Sequence, residues 1–332
     1  MGSQSISNQS AINILKISNF MSLARKALLA MSTNRWLRER ATKTAFVRRS
    51  VSRFMPGEHL EDAMRAATAQ QAQGVGTIFT KLGENLTRLD EAEEVTRHYL
   101  DVMDRVQAAE LRVQISVKPT QLGLDLDKEL CFRNLQRLVD RAAARSNFVW
   151  IDMESSPYVD ATLELFRRAR AGSRFVGIAL QAYLYRTEKD IEDLLPLGSA
   201  IRLVKGAYLE PATIAFPKKA DVDENFYKLS CRMLRGDALQ AGTLLHIATH
   251  DPALVDRLAS FIDQHLVPKS AYEYAMLYGI QRPLQEQLVR AGRPLRVLIA
   301  YGEYWFPWYM RRLAERPANV WFFLSNLLRS GR

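Results

Sequence analysis

Two adjacent arginines, Arg311 and Arg312, stand near the end of the chain and are followed by Glu315. Neighbouring guanidinium groups can bind one carboxylate through charge-assisted, partly bidentate hydrogen bonds. Glu315 follows them by four and three residues, so on a helix it lies on the same side and can orient either guanidinium. Alone, the pattern is more typical of a solvated helix face with an ordinary ion pair. Lys118, at the end of an apolar run, would add a third cation if the fold brought it close.

Further polar residues follow other short apolar runs of the sequence. They include carboxylates, an amide, phenols, a lysine, an arginine and a histidine, which together suit a ligand with anionic and hydrogen-bonding parts. Each of them alone is typical of a solvated loop, but their recurrence after successive runs indicates a binding site. They lie in short segments that comprise Asp152, Met153 and Glu154; Gln181, Tyr183 and Tyr185; Arg202, Lys205, Gly206, Ala207 and Tyr208; and Thr249, His250 and Asp251.

Eight apolar, β-branched runs alternate with amphipathic stretches after residue 70. Eight strand–helix units in series predict a parallel sheet with crossover helices, and eight is the number that closes a (β/α)8 TIM-type barrel. An open doubly wound sheet would need the same alternation. In a barrel, the polar residues would meet at the carboxyl ends of the strands, where the active sites of this fold lie. The runs are Val75–Thr80, Arg112–Lys118, Phe148–Met153, Phe175–Leu180, Ala200–Lys205, Thr243–Thr249, Ala271–Leu277 and Arg296–Ala300.

The positive charge of the chain is concentrated at its start. The 332 residues are 48% hydrophobic and carry a net charge of +10, and residues 1–56 hold ten Lys or Arg and one acid, Glu39. We therefore expect a basic helical N-terminal arm over residues 1–70 and one barrel domain over residues 71–332. Such an arm suits an anionic membrane surface, a protein partner or a transit peptide, or is a solvated helical extension. The charge does not spread over a binding face, so no nucleic acid is expected.

Motifs of other protein classes are absent or misplaced. The Gly-Val-Gly at residues 74–76 lacks a third glycine and precedes a strand run, so it is not a dinucleotide-binding fingerprint. His246 and His250 lie about 13 Å apart along a strand and cannot share one metal ion. Neither Cys131 nor Cys231 has the basic signature of a reactive thiol, and no apolar run reaches the roughly 18 residues of a membrane span. We expect no metal, inert thiols and a cytoplasmic protein, with contact at the inner face of the membrane left open.

The residues at the predicted strand ends resemble those of the proline dehydrogenase family in type, order and spacing. The resemblance covers about residues 45–330, and six motifs in register on a predicted barrel are far more specific than any one alone. It implies a distorted (β/α)8 barrel that binds FAD, with hydride transfer from a cyclic imino acid to the flavin. The motifs are those at residues 152–154, 181–184, 202–208, 248–251, 274–279 and 309–315.

The resemblance also implies roles for individual positions. Asp152 and Arg202 match the catalytic pair of the family, and Lys118, Arg311 and Arg312 match the positions that bind the substrate carboxylate. Reduced flavin in this family passes electrons to a membrane quinone, which would give the basic arm a reason to contact the membrane. The positions that contact the flavin are matched by Met153, Gln181, Arg202, Lys205, Gly206, Ala207, Thr249 and His250.

Two positions depart from the family pattern. Leu298, at the end of the eighth predicted strand, and Trp308, one helical turn before Arg311, each stand where the family usually has tyrosine. Both should line the ring of the bound substrate, so we expect a more apolar pocket than usual. A proline-like cyclic amino acid therefore stays open as the substrate. A Schiff-base enzyme of the aldolase class, with Lys118 or Lys205 as nucleophile, and an inactive barrel that binds membranes or partners also stay open.

Overall fold

Eight parallel strands form the centre of the molecule. The structure, a computed structural model, describes residues 51–83 and 86–314, and of residues 311–314 it describes the backbone alone. Each strand pairs with the next along the chain and the eighth pairs with the first, so the sheet is a closed barrel. The predicted TIM-type barrel is confirmed, and the open sheet is excluded. The strands are β1 (Gly76–Lys81), β2 (Val113–Val117), β3 (Val149–Ile151), β4 (Val176–Gln181), β5 (Ala200–Val204), β6 (Leu244–Ala248), β7 (Tyr272–Leu277) and β8 (Leu295–Tyr301).

Helices connect the strands, as parallel neighbours require. In the part of the chain that the structure describes, one helix precedes the first strand and one follows the last. Among the described residues, no helix is both long enough and apolar enough to cross a membrane. The helices are α1 (Leu60–Ala72), α2 (Leu89–Ala108), α3 (Lys128–Ala143), α4 (Val159–Gly172), α5 (Thr187–Leu194), α6 (Lys219–Met233), α7 (Asp237–Gln240), α8 (Pro252–Gln264), α9 (Arg282–Arg290) and α10 (Trp305–Ala314).

The chain divides into two compact units. One comprises residues 52–303 and contains the whole barrel, and the other comprises residues 1–51 together with residues 304–332. Helix α1 belongs to the barrel unit, where it contacts β1 and β8 and buries the apolar side chains of Leu60, Ala63 and Ala67. The barrel unit therefore begins before residue 71, where the sequence pattern places its start. Most of the predicted basic arm, residues 1–50, lies outside the described residues.

Alternation along the strands produces two separate apolar clusters. Phe79 belongs to the large core between the strands and the helices, whereas its neighbour Ile78 belongs to a small cluster inside the barrel with Trp150 and Ala200. Successive strand residues face opposite sides of a sheet, which explains the division. Residues two apart on one strand therefore share the barrel interior, and this rule places the polar side chains described next.

The two cysteines lie on helices packed against the barrel. Cys131 and Cys231 are both buried, and they form no disulfide. Burial raises the pKa of the Cys131 thiol to about 12, and burial also raises the pKa of Cys231. Both thiols therefore stay protonated at neutral pH, which agrees with the expectation of inert cysteines.

Candidate active site

The strands β2, β3 and β5 bring three polar side chains together inside the barrel. Ser116 Oγ donates a hydrogen bond to Asp152 Oδ1 at 2.8 Å, and Arg202 Nη2 donates to Ser116 Oγ at 2.8 Å. Arg202 Nη2 also forms an ion pair with Asp152 Oδ1. Asp152 directly follows β3, so the cluster lies toward the carboxyl ends of the strands. The structure thus brings the predicted pair Asp152 and Arg202 into contact and adds Ser116 to it.

The positive charge of Arg202 is balanced by Asp152 on one side of the guanidinium group. The residue is 4% exposed, and burial lowers the pKa of the guanidinium although the Asp152 carboxylate acts in the opposite direction. An arginine remains protonated in a protein even so. Within the described part of the chain, Nη1 of Arg202 is buried without a hydrogen-bond partner. Because buried donors are almost always paired, this nitrogen fits an acceptor atom on a bound ligand.

Gln181, the last residue of β4, presents an unpaired acceptor near that donor. Its Nε2 donates to the backbone carbonyl of Glu154 at 3.2 Å, and its Oε1 is buried with no partner among the residues described. Gln181 is in register with Val204 on the adjacent β5, two residues beyond Arg202. One unpaired donor and one unpaired acceptor therefore lie on neighbouring strands. A flavin ring, which carries carbonyl oxygens, ring nitrogens and one N–H, fits this pair.

Lys118 and Glu154 follow β2 and β3 and are both buried. The Glu154 carboxylate accepts from the backbone N–H of Thr120 at 3.1 Å and from Thr120 Oγ1 at 2.8 Å. These bonds fix the turn that follows Lys118. Met153, between Asp152 and Glu154, is also buried. Lys118 is therefore a buried cation on a fixed turn at the carboxyl end of β2, where a substrate carboxylate is expected.

Lys205, directly after β5, is held by two carboxylates. Its Nζ lies 2.5 Å from Asp223 Oδ1 and 3.0 Å from Asp251 Oδ2, and Lys219 contacts the same two carboxylates. Burial alone would raise the pKa of Asp251, but hydrogen bonds from the two lysines lower it to about 2. The two carboxylates occupy the Lys205 Nζ. A Schiff-base lysine needs a free Nζ to attack a carbonyl, so these contacts disfavour Lys205 as a nucleophile.

Gly206 allows the loop after β5 to lie against the loop after β4. Its φ is +118°, and a Cβ atom built there would lie 2.3 Å from the ring of Tyr183. The backbone N–H of Tyr183 donates to the carbonyl of Lys205 at 2.9 Å, which holds the two loops together. A side chain at position 206 would therefore displace the tyrosine ring. Ala207 follows on the same half-buried loop.

Thr249 and His250 directly follow β6. Thr249 Oγ1 accepts from the backbone N–H of Asp251 at 3.2 Å, and His250 Nε2 accepts from the backbone N–H of Leu277 at 2.8 Å. An accepting ring nitrogen carries no proton, so the proton of a neutral His250 is on Nδ1. These bonds fix both residues at the carboxyl end of the barrel, between β6 and β7.

The remaining predicted residues lie on β8 and α10. Leu298 is the fourth of seven residues in β8, rather than at its end, and its half-buried side chain packs inside the barrel against the cluster that contains Trp150. Trp308 is buried on α10, which belongs to the second compact unit. Arg311 and Arg312 are on the same helix, and their side chains lie outside the described residues.

The sequence reasoning misses two residues of the site. Ser116 precedes Lys118 by two positions in one strand run, so strand parity could have placed both side chains in the barrel interior. Asp223 lies on α6 between Asp221 and Glu224, and one acid in such an acidic stretch gives no signal of its contact with Lys205. In the described ranges, no group of His, Cys, Asp and Glu could hold a metal ion.

The chain is similar to one family of known proteins over most of its length. A family model described as proline dehydrogenase matches residues 63–324. The proline dehydrogenase of Deinococcus radiodurans is 35% identical over 312 residues, which cover 92% of this chain and 98% of the relative. Proline dehydrogenase 2 of Bacillus subtilis strain 168 is 36% identical over 278 residues, which cover 84% of this chain and 90% of the relative.

Solved structures show the same fold at lower sequence identity. Proline utilization A from Bdellovibrio bacteriovorus, inactivated by N-propargylglycine, superposes with a TM-score of 0.74 at 23% identity over 80% of this chain and 32% of that chain. Proline utilization A from Corynebacterium freiburgense gives a TM-score of 0.70 at 23% identity, over 90% of this chain and 34% of that chain. The present chain therefore spans about a third of the length of these proteins.

Proposed function

Because the chain belongs to the proline dehydrogenase family, we propose that it oxidises L-proline to 1-pyrroline-5-carboxylate, with FAD bound in the barrel and a quinone-type molecule as the final electron acceptor. The observation that supports this most directly is the ion pair of Asp152 with the buried Arg202. Considering the described residues alone, Nη1 of Arg202 is a donor and Oε1 of Gln181 an acceptor without a partner, as a polar ring cofactor would require.

The reaction removes two electrons and two protons from the substrate, as one C–H and one N–H bond of the proline ring break. Bound FAD supplies the acceptor for the hydride that leaves the ring carbon. The protein contributes by orienting the substrate, because a ring held at its carboxylate presents one C–H in a fixed direction. Asp152 Oδ1 is engaged by Ser116 and Arg202, so Oδ2 is the oxygen that would meet the substrate nitrogen.

Cations at two places of the chain would bind the substrate carboxylate. Lys118 is buried at the end of β2, and Arg311 and Arg312 are adjacent on α10. Charge-assisted hydrogen bonds from arginine to a carboxylate are short, strong and often bidentate. Leu298 and Trp308 would then face the apolar ring carbons of the substrate.

The remaining residues would hold the cofactor. Arg202 and Gln181 would meet the polar edge of the flavin ring, and a cation at that edge stabilises the reduced form. Lys205 would meet a more distant anionic part of the cofactor, since its charge is already positioned by Asp223 and Asp251. The other proposed cofactor contacts are Met153, Gly206, Ala207, Thr249 and His250.

A proline-like cyclic amino acid is a second candidate substrate, favoured by the apolar surroundings of Leu298. Its side chain packs with Ile78 and Trp150, which leaves no hydroxyl at this position to bind a polar ring substituent. An unmatched buried polar group costs about 1–3 kcal/mol, so hydroxyproline should be oxidised with a roughly tenfold lower kcat/KM than proline. The Leu298→Tyr variant should narrow this difference, and an unchanged ratio would mean that Leu298 does not contribute to specificity.

The decisive experiment is the visible spectrum of the purified protein, followed by release of the chromophore with acid or heat and its identification by chromatography. We expect non-covalent FAD and proline-dependent reduction of a dye acceptor. A colourless protein that is trapped by borohydride with a carbonyl substrate would support the aldolase alternative instead. Failure to recover any flavin after reconstitution would contradict the proposed function.

A further inference from the structure

A second layer of interior side chains lies below the Asp152 cluster and is built from the same two strands. Trp150 precedes Asp152 by two residues, and Gln114 precedes Ser116 by two residues, so all four side chains face the barrel interior. Trp150 Nε1 donates a hydrogen bond to Gln114 Oε1 at 2.7 Å. The upper pair of side chains contacts Arg202 through oxygen atoms, and the lower pair fixes the orientation of one indole ring.

The barrel provides a fitted space for this indole ring. Trp150 is fully buried, and its register partner on β4 is Gly177. A Cβ atom at Gly177 would lie 2.5 Å from the Trp150 ring, so even alanine would require the ring to move. A large ring and a glycine that complement each other on adjacent strands fix the ring in one position.

The Trp150 ring lies near two groups of different charge, Arg202 and His246. The Cζ of Arg202 lies 5.3 Å from the ring centroid of Trp150, within cation–π distance. The ring of His246 lies 4.0 Å away, centroid to centroid, and burial lowers the pKa of His246 to about 4, so it is neutral at pH 7. His246 Nε2 is 3.0 Å from Oε2 of Glu273, and Glu273 also pairs with Arg296. Arg202 is thus the cation that the indole ring contacts.

We propose that Trp150 is a positioning residue, whose indole ring holds the guanidinium of Arg202 with Nη1 toward the cofactor position. The inference rests on the proposed function. Ser116 and Asp152 both bind Nη2, and contacts to one nitrogen alone leave the planar group free to turn about that end. The indole ring blocks movement of the guanidinium down into the barrel. Without the ring, Nη1 would lose its fixed direction, and the reduced flavin would lose a fixed cation.

The test compares Trp150→Leu, which removes the aromatic ring, with Trp150→Phe, which retains one. FAD is titrated into each apoprotein to measure its dissociation constant, and the potential of the bound flavin is measured by equilibration with reference dyes. We expect Trp150→Leu to stabilise reduced flavin at least tenfold less, which is about 30 mV more negative for a two-electron couple. FAD affinity should fall by a similar factor, and Trp150→Phe should stay within about threefold of the parent.

The matched control is Phe148→Leu, which also removes an aromatic ring from the barrel interior. Phe148 stacks on Trp150 with centroids 6.0 Å apart, but it precedes Trp150 by two residues, on the side away from Asp152. This variant should lose stability while the flavin potential stays at the parent value. If Trp150→Leu does not fold, Gln114→Met takes its place, because it releases the indole N–H, and it should shift the potential in the same direction.

Two outcomes separate this inference from the function on which it rests. If the parent protein binds no flavin, the proposed function is wrong and the inference with it. If the parent binds flavin but the folded Trp150→Leu or Gln114→Met variant keeps the parent potential and FAD affinity, the positioning role of Trp150 alone is wrong. A shift of the same size in Phe148→Leu would also overturn it, because the effect would then be one of general packing.

Discussion

Asp152 and Arg202 form their ion pair across the barrel interior, although the strands that carry them are not neighbours. Strand β4 lies between β3 and β5. Two of its residues that face the interior are Gly177, in register with Trp150, and Ala179, in register with Arg202. Because these two residues are so small, the guanidinium of Arg202 can reach past β4 to the carboxylate. The pair therefore depends on a strand that contributes no polar atom to it.

Breaking this pair should affect both stability and catalysis. Asp152→Asn leaves the buried Arg202 without a counter-charge, so we expect the free energy of unfolding to fall by about 1–3 kcal/mol and kcat to fall strongly. Urea unfolding and steady-state kinetics measure the two effects. Asp160→Asn is the matched control, because Asp160 is 84% exposed in its ion pair with Arg186 and should cost less than about 1 kcal/mol. Equal losses in both variants would mean that burial of the pair is unimportant.

The paired arginines should act on substrate affinity rather than on the cofactor. Arg311→Met and Arg312→Met each remove one charge-assisted contact to the substrate carboxylate, which is worth about 1.5–3 kcal/mol. KM for proline should therefore rise by roughly 10- to 150-fold while FAD stays bound. Arg167→Met, at an exposed position on α4, should leave KM unchanged. An unchanged KM in both Arg311 and Arg312 variants would place the carboxylate elsewhere.

A methyl group at position 206 should disturb the loops around the cofactor position. Gly206→Ala combines a φ of +118° with a contact to the Tyr183 ring, so we expect a loss of about 1–3 kcal/mol in unfolding free energy and weaker flavin binding. Gly172→Ala, at the end of α4, meets no atom within 4 Å and should be neutral or slightly stabilising. Thermal melting and FAD titration distinguish the two variants, and identical behaviour would contradict the prediction.

The buried histidines should make the protein sensitive to mild acid. Burial lowers the pKa of His246, and likewise that of His98, from 6.5 to about 4, while Glu273 beside His246 has a lowered pKa and stays ionised. Between pH 6.5 and 4 the unfolded chain binds protons that the folded chain does not bind. The stabilisation is therefore complete above pH 6.5 and is lost as the pH falls toward 4.

Melting temperatures measured across this range test the assignment. His246→Asn should lower the melting temperature at neutral pH but make it depend less on pH between 6.5 and 4. His265→Gln, at the surface after α8, should retain the pH dependence of the parent. If His246→Asn keeps the full pH dependence, the acid sensitivity arises from other groups.

The basic N-terminal arm should be dispensable for the barrel. The compact barrel unit begins at residue 52, so a chain that starts near Ala45 retains α1 and everything after it. We expect this truncated chain to bind flavin and to reduce a dye acceptor with proline. Unlike the full chain, it should not bind anionic vesicles. A truncated chain that unfolds or loses flavin would mean that the arm is part of the folded core.

The fold was predictable because its signal repeats eight times. Each predicted strand differs from the observed one by at most two residues at either end, as with Phe148–Met153 against Val149–Ile151. The contact between Asp152 and Arg202 is harder to predict from the sequence, because it depends on the small residues of β4. Of the two carboxylates around Lys205, only Asp251 could be expected from the sequence, because it follows a strand run. Asp223 lies on a helix and gives no such signal. Contacts set by three-dimensional packing leave no spacing signal in the chain.

The pairing of β8 with β1 joins the two ends of the barrel unit. Arg296 Nη1 on β8 lies 3.4 Å from the carbonyl of Thr77 on β1, although the two residues are 219 positions apart in the chain. During synthesis β1 leaves the ribosome long before its second neighbour exists. Until β8 arrives, the nascent sheet has two open edges that could pair with other chains. This seam joins the two strands that are farthest apart in the chain, so we expect its closure to be the last step in forming the barrel.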